Sequence, residues 1–168
     1  MRLTMPAPVL LGKPDEALAR HHASLRTPLH RYVLNGRLAV ILSAPLLYIC
    51  AIPFALTDLF ASLYQAVCFP IYGIPKVRRR EYFLYDRGRL RYLNLLERLN
   101  CLYCSYANGL FAYLTEIAGR TEQRWCPVEH RRTPRSVHSR YGKFLPYGDA
   151  EEYRRRLDTV SEDFRDLR

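Results

Sequence analysis

The sequence predicts an all-α protein, a membrane helical hairpin followed by a small cytoplasmic helical domain built on one long helix. Three observations carry this. Residues 38–75 contain a single charge, Asp58, in thirty-eight positions. Beyond Asp86, apolar residues recur at alternating steps of four and three, the period of one helix face. The chain's 26 Lys and Arg, 23 of them Arg, exceed its 16 Asp and Glu by +10, and they crowd both ends of the apolar run. With 168 residues the chain suits one ordinary domain. Its 49% hydrophobic content and five cysteines exclude an extended disordered chain and a disulfide-dense secreted module.

Residues 1–37 form a cytoplasmic amphipathic segment. From Pro14 to Val33, Leu18, Leu25, Leu29 and Val33 alternate with Arg20, Arg26 and Arg31, which predicts an interfacial helix interrupted at Pro28. Residues 38–75 are the membrane segment. Twenty uncharged residues precede Asp58 and seventeen follow it. One helix through both would greatly exceed the roughly 30 Å hydrocarbon core, so the reading is two legs, spanning or re-entrant, that turn at a solvated Asp58. An intramembrane functional carboxylate is the alternative role for that residue. Arg20, Arg26, Arg31 and Arg37 stand before the run and Lys76, Arg78, Arg79 and Arg80 after it. Both flanks therefore belong in the cytoplasm, as do both termini, and the cluster Arg37, Lys76, Arg78, Arg79 and Arg80 is assigned to anionic lipid headgroups.

Residues 76–168 form the cytoplasmic domain. Tyr92, Leu96, Leu99, Tyr103, Tyr106, Leu110, Tyr113 and Ile117 predict a helix of about thirty residues, with Asp86 as N-cap and Gly119 as stop. The stripe passes through Asn108-Gly109 without losing phase, which overrides that pair's turn signal. Asp149 and Glu152 open a final helix with Tyr153, Leu157, Val160, Phe164 and Leu167 on one side, a partner for the long helix. Its mixed charge also makes it a candidate docking helix for another protein.

Another face of the long helix carries Asn94, Glu97, Cys101, Cys104 and Asn108, short directional groups where solvated charges are usual. Cys101 and Cys104 are one turn apart. Cys126 and His130 follow, and Pro127 suggests Cys126 as the N-cap of another helix, where a thiol tends towards thiolate. Cys101, Cys104, Cys126 and His130 would complete one tetrahedral zinc site, with Asn94, Glu97, Asn108 and Glu122 hydrogen-bonding to those ligands or replacing them. Iron held by Glu97, Glu116, Glu122 and His130 is a weaker alternative. Two other readings stay open: reduced core cysteines beside an unrelated histidine, and a redox dithiol at Cys101 and Cys104 that needs the helix to bend. The corresponding functions are a metal-binding accessory protein, a structural membrane adaptor and a thiol oxidoreductase.

The motifs NCLYCSYANG, RTEQRWCPVEH and YGDAEEY, lying between Pro75 and Tyr153, resemble those of small uncharacterised bacterial membrane-associated proteins with NCxYCxYxNG and WCPxxH patterns. The resemblance implies a bacterial inner-membrane location and carries no activity. There is no phosphate-binding loop, GxGxxG or Ser-His-Asp pattern. The cations track the membrane edge without a nucleic-acid motif, so no nucleic-acid partner is expected.

Overall fold

The computed structural model describes residues 16–167 and is mostly helical, with no strand among those residues. Six helices follow in order: α1 (Glu16–Ser24), α2 (Leu29–Leu34), α3 (Leu38–Ile49), α4 (Ala51–Tyr72), α5 (Leu95–Trp125) and α6 (Ala150–Glu162). The all-α expectation holds. The interruption near Pro28 separates α1 from α2; Pro14 and Asp15 at the expected helix start, and Arg168, lie outside the described residues.

The chain does not turn at Asp58. Helices α3 and α4 form a nearly continuous rod, Leu38–Tyr72, and Asp58 lies in the middle of α4. The rod is interrupted only at Cys50, where Pro53 lacks the N–H that would reach back to Ile49. No Gly, Asn or Pro lies beside Asp58 to reverse the chain, and its charge needs no water because an arginine neutralises it inside the fold. The rod stops at Gly73, whose φ of 69° closes a left-handed cap, with Ile74 N–H donating to the Phe69 carbonyl at 2.9 Å. Ile74 is then buried at the start of the return path.

Helix α5 begins later than Asp86. Asn94 accepts from Glu97 N–H at 3.0 Å and Asn94 N–H donates to the Glu97 carboxylate at 2.7 Å, a reciprocal cap that fixes the start. Residues 86–89 make only a single 3₁₀ turn. Nor does Gly119 end the helix, which runs on to Trp125. Each glycine instead marks a close approach. A Cβ at Gly109 would stand 2.8 Å from the Tyr82 carbonyl oxygen, and one at Gly119 would stand 2.5 Å from the His138 ring.

Helix α5 runs parallel to the rod. Tyr48 donates to Asn100, Tyr103 to the Leu47 carbonyl at 2.8 Å and Gln65 to Tyr113 at 2.7 Å, while Tyr72 and Trp125 meet edge to face. Parallel helices require a long return, and residues 73–94 supply it. That segment travels back along both helices: Pro75 meets Arg120, Val77 meets Gln65, Phe83 meets Tyr106, and Gly88 meets Leu102. Phe69, Val77, Phe83, Leu110, Tyr113 and Ile117 fill the space between the three layers.

After Trp125 the chain leaves the rod and builds a C-terminal lobe. Val128 pairs with Leu145, and α6 packs against the end of α5 as its apolar stripe requires. Asp149 caps α6 by accepting from Glu152 N–H at 2.8 Å, and Val160 and Phe164 are buried.

Candidate functional site

The four expected zinc ligands do not converge. Cys101 and Cys104 lie one turn apart in the first third of α5, whereas Cys126 caps its far end. Twenty-five helical residues at 1.5 Å each separate Cys101 from Cys126 by roughly 37 Å. Cys126 has φ −149° and closes α5 instead of opening a new helix, so the argument for a thiolate at a helix N-terminus falls away. His130 is exposed and stacks on Tyr141. Among the described residues no group of three or more His, Cys, Asp and Glu is gathered for a metal ion.

The other expected ligands have structural partners. Asn94 and Glu97 cap α5; Asn108 donates to the Cys104 carbonyl; Glu122 meets His138 at 2.9 Å. Glu116, proposed with Glu97, Glu122 and His130 for iron, is buried, accepts from Arg120 at 2.8 Å and from Ser139 at 2.7 Å, and faces the lobe. Helix α5 passes Gly109 without the break that a Cys101–Cys104 disulfide needs, and all five cysteines are free.

What the fold does build is a long exposed apolar surface, one-sided along α4, while α3 also exposes Val40 and Leu47 on its far side. On α3, Leu38, Leu42, Leu46 and Ile49 point outwards; on α4, Ile52, Leu56, Phe60, Leu63, Val67 and Ile71 continue the line. At about 100° per residue these ten fall within an arc of about 120°, and each is between 51% and 72% exposed. The stripe was hidden within a uniformly apolar sequence. Asp58, Ser62 and Gln65, spaced four and three apart, were the available signal, because they mark the opposite face.

Along α4 that opposite face is closed by polar contacts. Asp58 is 9% exposed and accepts from both terminal nitrogens of Arg79, one at 2.6 Å, and from Tyr106 at 3.0 Å. The Arg79 guanidinium also lies 3.9 Å above the Phe83 ring. Arg79 is therefore a structural partner of Asp58, with its side chain still 45% exposed. The Tyr106 hydroxyl, pushed up to about 12 by burial and by the Asp58 carboxylate, stays protonated and donates. Gln65 accepts from Val77 N–H at 2.6 Å, tying the return segment to the rod. Lys76, Arg78 and Arg80 remain exposed, and Arg37 stands just before α3 beside a cavity of about 630 Å³ between α2, α3 and the start of α5.

A second polar cluster holds the lobe. Arg140, 2% exposed, donates to Gln123 at 2.6 Å, to both Asp166 oxygens at 2.6 and 3.0 Å, and to the Asp163 carbonyl at 3.2 Å. Arg140, then Lys143, hold the Asp166 carboxyl well below the usual carboxylate range. A depressed folded-state value stabilises above the unfolded one, near 3.9 for Asp, and that stabilisation is lost as pH falls. We therefore expect acidification below about pH 4 to loosen residues 163–167 first, measured as faster amide hydrogen exchange there, with Asp166→Asn flattening the pH dependence. Unchanged acid sensitivity in that variant would contradict this assignment.

Comparison with protein-family models, curated proteins and solved structures finds no match.

Proposed function

We propose that the protein is a membrane-anchored adaptor, the metal-free alternative among the readings above. The supporting observation is the line of ten exposed apolar side chains along α3 and α4, backed along α4 by buried polar contacts. A soluble protein rarely leaves so long a contiguous apolar surface in water. Arginine and lysine at both ends of the rod suit an anionic leaflet, and a bacterial inner membrane seen from the cytoplasm supplies one. The lobe beyond Trp125 is then held beside the lipid. There α6 offers Glu151, Arg154, Asp158 and Glu162 to solvent for a protein partner.

A zinc-binding or thiol-redox role receives no comparable support, because the sulfurs are distributed along one helix. The adaptor reading is tested by fractionating cells that express the full chain. The protein is expected to sediment with membranes, to stay through a high-salt wash and to leave in detergent. Recovery in the soluble fraction would overturn the reading.

A further inference from the structure

We infer that the α3–α4 rod lies flat in one leaflet of an anionic bilayer and does not cross it. This rests on the membrane reading above and goes beyond it by fixing the orientation. First, the stripe from Leu38 to Ile71 is about 50 Å long at 1.5 Å per residue, against a hydrocarbon core of about 30 Å, so an upright rod would leave apolar side chains in water. Second, charge accompanies the rod along its length. The return segment carries exposed Arg78, Arg80, Glu81, Asp86 and Arg87 back beside α4 and α5. Near α3 stand Arg31 and Arg37, which line the same cavity as Leu47 and Leu96, with Glu97 and Arg98 following on α5. An upright rod would drag these groups into hydrocarbon, where ionised side chains and irregular backbone are strongly disfavoured.

Laid flat, the same body meets both demands. The ten apolar side chains enter the acyl region from one side, and the charged return segment faces water on the other. Basic residues before and after the rod then lie on one side of the membrane, as the charge rule requires, without any hairpin. Arg37 at one end and Lys76 at the other are positioned to meet lipid phosphates, so the surface fits an anionic monolayer better than a neutral one.

The test needs no substitution. The rod and α5 are parallel, so their amide signals add in polarised infrared spectra of the full chain in oriented bilayers. With phosphatidylethanolamine and phosphatidylglycerol the helix axes are expected in the membrane plane. Partitioning into those vesicles is expected to exceed that into phosphatidylcholine by at least about tenfold. Axes along the membrane normal would overturn the flat orientation and leave the anchor intact. Equal partitioning into both compositions would overturn the preference for an anionic leaflet. Failure to bind either vesicle would overturn the anchor itself.

Discussion

Replacing Phe60 and Leu63 together with glutamate is expected to release the protein from membranes while leaving its fold intact. Both side chains lie on the outer line of α4, 65% and 57% exposed, and neither belongs to the core cluster. In lipid each contributes about 1.5–3 kcal/mol of apolar burial, and the new carboxylates add repulsion from anionic headgroups. Losing about 3–6 kcal/mol corresponds to roughly two to four orders of magnitude in partitioning. Vesicle co-sedimentation measures this, and circular dichroism confirms that helix content survives. A variant that still binds as tightly as the parent would remove the stripe from the account.

Arg140→Ala is expected to cost about 1–3 kcal/mol, the range for leaving a buried polar group without its partner, because Asp166 is itself 47% exposed and keeps Lys143. Arg140 reaches Gln123 on α5, the Asp163 carbonyl and the Asp166 carboxylate at once. Gln123 is wholly buried, so its oxygen would lose its partner in a site closed to water. The lobe should melt well before the rod and α5, giving a second, lower transition in thermal unfolding. Arg140→Lys should recover only part of the loss, because an ammonium cannot reproduce the planar fork that spans Gln123 and Asp166. A shift of less than about 1 kcal/mol in the alanine variant would show that α6 is held mainly by Val160 and Phe164.

Local patterns in the sequence led to the right elements. The apolar run, the long α5, the cap of α6 and the break near Pro28 each depend on neighbouring residues, and each is present. The errors arose where a distant residue decides. Asp58 looked like a solvated turn because its partner, Arg79, comes from a segment twenty-one residues later. At Asn108-Gly109 the apolar stripe rightly outweighs the turn signal, and the glycine there serves the Tyr82 backbone, which crosses α5 at Gly109. Gly119 looked like a stop because His138, which packs on it, returns from the lobe.

The four expected ligands stay apart for a reason already present in the sequence. Asn94 and Glu97 form an N-x-x-E cap, and that local role accounts for both without any ligand. Once α5 is unbroken from Leu95 to Trp125, its length alone keeps Cys126 away from Cys101 and Cys104. The cluster around Arg140 had no such local signature: Gln123, Arg140, Asp163 and Asp166 converge only in the folded chain.

The most direct test of the central claim is the environment of the stripe itself. Nitroxide labels at Leu56→Cys and Leu63→Cys on α4, and at Glu81→Cys on the return segment, can be compared in anionic vesicles, with the native cysteines replaced by serine. Collision with dissolved oxygen should exceed collision with a water-soluble nickel complex at the first two sites, and the order should reverse at the third. Nickel access at Leu56 and Leu63 equal to that at Glu81 would mean that these side chains face water, and the membrane anchor would have to be abandoned.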